Sequence, residues 1–224
     1  QTTHPLCFAE AIVGNSKHST WYNYGFMEPQ GPIPGKKVDG LHVRDAARYI
    51  MRRLGVAGWY QNLNRQVHER LFKEAINRVA PSDKTKPIQH LVPANEHYYV
   101  TIFLRQRDRL LLNFKEIEET LMKTYGLQVK TVRMEDQSLT EQIMILRTTM
   151  VAVGLHGSAL ILGMFMPPGA VMVELFPYAV PAENYTPYKT MCQLPGMRIV
   201  YKAWTNKHKK NTKSHPDRIP ELGG

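Results

Sequence analysis

The residues with the greatest chemical reach lie in a few short stretches. One is Val151-Ala152-Val153-Gly154-Leu155-His156-Gly157-Ser158-Ala159-Leu160. An apolar run enters two glycines that flank a histidine, and a helix-forming run follows. Amides at the start of a helix have no intrahelical acceptor and sit at the positive end of its dipole, so they suit an anion. Gly157 lets backbone approach a phosphate closely. Ser158 adds a hydroxyl, and His156 can donate to a diphosphate oxygen. A tight strand-to-helix turn around a packed histidine would have the same sequence, because short glycine motifs recur by chance. The dinucleotide fingerprint GxGxxG is absent.

A second stretch is Arg105-Gln106-Arg107-Asp108-Arg109-Leu110-Leu111-Leu112-Asn113, directly after an apolar run. Guanidinium groups fork onto phosphate oxygens. Arg105 and Arg109 are four apart and would face one ligand if the turn between them is helical. The competing reading is solvated charge, with Arg109 paired to an acid. A third stretch, Met172-Val173-Glu174-Leu175-Phe176-Pro177, puts a carboxylate at the end of a buried strand, where it needs a partner. A ribose diol is one candidate and a structural ion pair is the other. Two polar-aromatic loops complete the set. Ser16 to Tyr22 carries Lys17 beside Trp21, and Tyr185, Thr186, Tyr188 and Lys189 follow Glu174. Either loop can stack on a base or sugar, or simply pack.

Several chemistries are excluded. No Asp-x-Asp pair is present to clamp a metal-bound diphosphate, and there is no His-x-x-x-His, Gly-x-Ser-x-Gly or Walker A loop. Nucleic-acid recognition signatures are absent too. Two cysteines, Cys7 and Cys192, rule out a disulfide scaffold or a four-cysteine zinc site, and leave open a single bridge or two buried thiols.

The elements that must hold these residues follow from periodicity. Ala47, Ile50, Met51 and Leu54 give a helix over 41–54, with Arg44, Arg48 and Arg52 on a more polar face. Leu63, Val67, Leu71 and Ala75 give a second helix, and a Pro-bounded linker follows it. Strands are expected over 98–104, 128–133, 150–154, 170–175 and 198–203. Helices alternate with them over 114–125, 139–150 and 157–165, the first stopped by Gly126 and the second capped by Ser138. This rhythm predicts a Rossmann-like α/β domain with a parallel sheet covered on both faces. Ligands of such sheets bind beyond the carboxyl ends of the strands. The arginine, histidine and glutamate stretches all fall at those ends.

The chain has 224 residues, enough for one large domain or two small ones, and its 43% hydrophobic and 21% charged content is that of a globular protein. The net charge of +10 fits a phosphate-rich partner, although lysines crowd the final stretch and much of that charge is expected on a solvated surface. No run of about 20 apolar residues occurs to cross a bilayer.

The motifs occur together and in a characteristic order. Gly154-Leu155-His156-Gly157-Ser158-Ala159-Leu160 is followed by Phe165, Pro168-Gly169-Ala170 and Val173-Glu174-Leu175-Phe176-Pro177-Tyr178-Ala179-Val180. This series resembles glycosyltransferase family 61. Tyr185-Thr186-Pro187-Tyr188-Lys189-Thr190, Leu194-Pro195-Gly196-Met197 and Trp21-Tyr22 extend the likeness.

The resemblance implies the C-terminal, donor-binding half of a GT-B fold. It implies UDP-N-acetylglucosamine as donor, inversion at the anomeric carbon, no cofactor and no obligatory metal. The implied acceptor is an O-mannosylated glycoprotein, with no role for nucleic acid. Arg105 and Arg109 would hold the diphosphate with His156, Gly157 and Ser158. Glu174 would lie near the ribose, with Lys17 and Tyr188 also at the donor. The catalytic base and the acceptor half would lie upstream of Gln1. So would an anchor placing a type II membrane protein in the lumen of the endoplasmic reticulum or Golgi. The alternative is a catalytically incomplete sugar-nucleotide-binding fragment. The expected organisation is the start of the catalytic domain over 1–57, a helical insertion or linker over 58–95, the nucleotide-sugar domain over 96–205 and a basic polar tail over 206–224.

Overall fold

A computed structural model describes residues 20–23, 31–35, 38–56, 99–106, 109–183 and 185–213. The helix expected near 63–75, Lys17 and Cys7 lie outside the described residues. Two short strands, β1 (Tyr22–Asn23) and β2 (Gly31–Pro32), pair antiparallel and precede helix α1 (Gly40–Arg53). The main body then alternates: β3 (Tyr99–Leu104), α2 (Phe114–Tyr125), β4 (Val129–Arg133), α3 (Leu139–Arg147) and β5 (Thr149–Leu155). A 3-10 segment (Ser158–Phe165), β6 (Val171–Phe176), α4 (Pro187–Cys192) and β7 (Val200–Thr205) follow.

The five long strands form one parallel sheet in the order β4-β3-β5-β6-β7. The chain leaves β3 towards β4, returns across β3 to β5, and from there moves only towards β7. The loops after β3 and β5 therefore diverge, and a crevice opens between the carboxyl ends of these two neighbours. That is the topological switch point, where doubly wound sheets bind ligands.

Local chemistry explains the elements. The central strands are apolar on both faces: Ile102, Ala152 and Met172 are fully buried. The hydroxyls buried there satisfy one another, with Thr101 Oγ1 2.7 Å from Thr149 Oγ1 and Thr149 Oγ1 donating to the Ile145 carbonyl at 2.8 Å. Ser138 and Glu141 form a capping box at the start of α3. Gly126, in the left-handed conformation at φ 63°, ends α2 where the sequence places its stop.

Three features differ from the sequence expectation. Arg44, assigned to a polar helix face, is only 7% exposed. Its Nε and Nη2 donate to the Met197 carbonyl at 3.1 and 2.6 Å, and its Nη1 donates to the carbonyls of Met164 (3.2 Å) and Met166. A guanidinium carries five donors, so one side chain satisfies acceptors from two loops that regular structure leaves unpaired. Gly40 seats the same helix: its N–H donates to the Pro195 carbonyl at 2.7 Å, and a Cβ there would strike the Met197 backbone. Second, residues 158–165 are 3-10 rather than α-helical. Third, the expected polar-aromatic loop after Glu174 contains α4. Pro187 starts that helix, which buries its own Tyr188, Met191 and Cys192.

Candidate functional site

At the switch point, β3 delivers Arg105 and β5 delivers His156 and Gly157. Their strands are in direct register, with Phe103 opposite Gly154. A Cβ placed on Gly157 would run into Arg105 Nη1 and would come within 3.5 Å of Arg109 Nη2. Both guanidinium ends thus lie against the Gly157 backbone. Arg109 itself adopts a left-handed conformation at φ 54°. Arg105 is half-buried, and among the described residues its buried Nε has no hydrogen-bond acceptor. A desolvated cationic donor without a partner is costly unless a ligand supplies one. Ser158, exposed, heads the 3-10 segment beside them.

His156 stands on the other side of Gly157. Its backbone N–H donates to the Leu175 carbonyl at 2.8 Å, which ties the loop to β6. Its ring lies nearly parallel to Phe176 (centroids 5.1 Å apart, 20° between planes), and Tyr185 and Tyr188 tilt against it at 5.7 and 5.8 Å. Nδ1 is 2.6 Å from Glu174 Oε1, with the imidazole 13% exposed and the carboxylate 0%. The other oxygen, Glu174 Oε2, accepts from the Tyr201 hydroxyl. Burial, and then the bond to Glu174, pushes the Tyr201 phenol well above its ordinary range, so it remains a donor. Cys192, a free thiol with Sγ 3.8 Å from Met172 Sδ, is pushed up to about 12 by burial and then by the charge of Glu174.

Of the residues singled out from sequence, Arg105 and Arg109 meet at Gly157, and His156 and Ser158 are its chain neighbours. Tyr188 packs on the imidazole. Glu174, expected near a ribose, has both oxygens engaged by protein and holds the imidazole instead. Tyr201 and Phe176 were not picked out as site residues. Register is the only signal for Tyr201: it pairs with Met172 across the sheet and so shares a face with Glu174, two residues on. Among the described residues, no group of three His, Cys, Asp or Glu side chains is placed to hold a metal. A cleft of about 380 Å³ opens beyond Leu104, with Phe114, Arg133, Asp136 and Gln137 in its walls. Gln106 closes its rim by donating to Asp136.

A doubly wound parallel sheet with two arginines and a histidine at its switch point defines a Rossmann-like α/β domain. The family model described as Glycosyltransferase 61 matches residues 19–173, and the chain belongs to that family. It is 36% identical over 219 residues to protein O-linked-mannose beta-1,4-N-acetylglucosaminyltransferase 2 of Canis lupus familiaris, covering 98% of this chain and 32% of the relative. The proteins of the same name from Takifugu rubripes and Homo sapiens are each 36% identical over 220 residues, 98% of this chain and 34% and 32% of theirs. The matched span runs through residues 58–95, and the chain spans about a third of the length of these curated relatives.

Proposed function

We propose that this chain is the donor-binding half of an inverting GT-B glycosyltransferase that moves N-acetylglucosamine from UDP-N-acetylglucosamine to O-mannosylated protein. The observation that carries the reading is the convergence of the Arg105 and Arg109 guanidinium ends on Gly157 at the switch point, one residue from His156. As the glycosidic bond breaks, negative charge builds on the departing diphosphate. Fixed cationic donors aimed at that charge lower the barrier without needing to reorganise. The two arginines and the first amides of the 3-10 segment supply them. His156, with Nδ1 held by Glu174, turns its remaining ring nitrogen to a phosphate oxygen. These groups do the work that a divalent cation does in metal-dependent transferases, so no metal is required. The cleft of about 380 Å³ has in its wall Leu104, the chain neighbour of Arg105, and in this reading it takes the base and ribose.

Inversion needs a base beside the acceptor hydroxyl. In this reading the base, the acceptor-binding half and a membrane anchor belong to the rest of the protein, which works in the lumen of the endoplasmic reticulum or Golgi. The relatives' name supports the choice of sugar and acceptor.

The test is UDP binding by the full chain, measured calorimetrically for wild type and His156→Ala. Loss of one hydrogen bond to a charged group costs about 1.5–3 kcal/mol, so affinity should fall roughly 10- to 150-fold. The melting temperature should fall, because the buried Glu174 loses a donor, so both proteins are compared at a temperature where the variant is folded. Unchanged UDP affinity in a folded variant rejects the reading.

A further inference from the structure

We infer that Tyr201 is a positioning residue for the sugar-nucleotide site, acting through Glu174 on the His156 imidazole. The inference rests on the donor-site reading above and adds to it a residue on the far strand of the sheet. Glu174 is 0% exposed and is held from two sides: His156 Nδ1 lies 2.6 Å from Oε1, and the Tyr201 hydroxyl donates to Oε2. A carboxylate sealed from water needs a donor for each oxygen. With only one supplied, it can rotate about its last bond and swing the oxygen it offers to the ring out of line. With both supplied it is locked, and Oε1 stays fixed as the acceptor of the Nδ1 proton. That fixes the ring's rotation and turns the nitrogen on its opposite edge to the ligand, where it donates to a phosphate oxygen once it carries a proton of its own. The aromatic neighbours Phe176, Tyr185 and Tyr188 hold the ring plane but leave it free to turn within that plane. The path from Tyr201 through Glu174 removes that freedom.

The sheet register makes the path possible. Gly154, Glu174 and Ala203 are opposite one another on β5, β6 and β7, and Tyr201 precedes Ala203 by two residues on the same face. A tyrosine is long enough to reach diagonally to Glu174, and its raised phenol stays protonated as the donor.

The experiment compares wild type and Tyr201→Phe as full chains. Two-bond nitrogen–proton correlations of labelled histidine report the His156 tautomer, with His156→Ala assigning the signals, and calorimetry reports UDP affinity. Wild type should show one sharp His156 species with a proton on Nδ1, and with UDP bound a proton on Nε2 as well. Tyr201→Phe should show broadened or doubled His156 signals and UDP binding about tenfold weaker, an effect the size of other losses of an outer-shell partner. A folded Tyr201→Phe with wild-type His156 signals and wild-type affinity overturns the inference while leaving the donor site standing. A wild type that fails to bind UDP overturns the donor site, and this inference with it. If Tyr201→Phe does not fold, the wild-type spectrum decides: a slowly exchanging Tyr201 hydroxyl proton beside a single His156 species supports the inference, and a freely exchanging hydroxyl overturns it.

Discussion

Gly157→Ala isolates the contact between backbone and guanidinium at the crevice. The added Cβ would occupy the place of Arg105 Nη1, which is the far end of a flexible side chain, so Arg105 has to swing away. The backbone itself loses nothing, because φ at Gly157 is 163°, extended and open to any residue. Alanine should even stabilise the fold by about 0.4–1 kcal/mol through the unfolded chain. Displacing one guanidinium from a phosphate forfeits about 1.5–3 kcal/mol, or roughly 10- to 150-fold in UDP affinity. Calorimetry with UDP, paired with thermal denaturation, should therefore show weaker binding at an equal or higher melting temperature. The decisive arm is a double-mutant cycle. On an Arg105→Ala background, Gly157→Ala should cost less than about 0.5 kcal/mol, because the group it displaces is already gone. If Gly157→Ala binds UDP as wild type does, or costs the full amount without Arg105, then the guanidinium is not what Gly157 makes room for.

Two further outcomes are expected. Arg44→Met should lower stability by about 3 kcal/mol or more, since it leaves buried carbonyls of Met164, Met166 and Met197 without donors. An unchanged denaturant midpoint would refute that role. Cys192 should resist iodoacetamide at pH 8.5 in the native protein and react once unfolded, as read by mass spectrometry of its peptide. Its folded value of about 12 lies above the ordinary thiol value of about 8.5, so its contribution to stability is complete below the latter and is lost as pH rises towards the former. Rapid native alkylation of Cys192 would contradict the burial that raises it.

The sheet was legible because its strands are short apolar or alternating runs, and because the stops are chemical: Gly126 at φ 63° and the Ser138–Glu141 box are local devices. Alternation pointed to the loops at the strand ends, whereas the switch point depends on the strand order. What stayed hidden depends on long-range partners. Arg44 looks like a surface arginine until the carbonyls of Met164 and Met197, 120 and 153 residues away, are folded onto it. Glu174 reads equally as a ligand or a structural acid, and only the register with Tyr201 decides between them. The left-handed conformation of Arg109 has no local signal in the sequence, since no glycine or asparagine stands there.

The arginine that ties α1 to Met197 also sets an order of events. Helix α1 leaves the ribosome 120 to 153 positions ahead of the residues that make its seat. Contacts so distant along the chain form slowly, and until they do, the apolar stripe of Val43, Ala47 and Met51 lacks the surface that covers it in the fold. The nascent protein therefore carries an exposed sticky helix while those residues are made. Chaperone capture is expected to be strongest over that interval and to end abruptly once the strand after Met197 has cleared the exit tunnel.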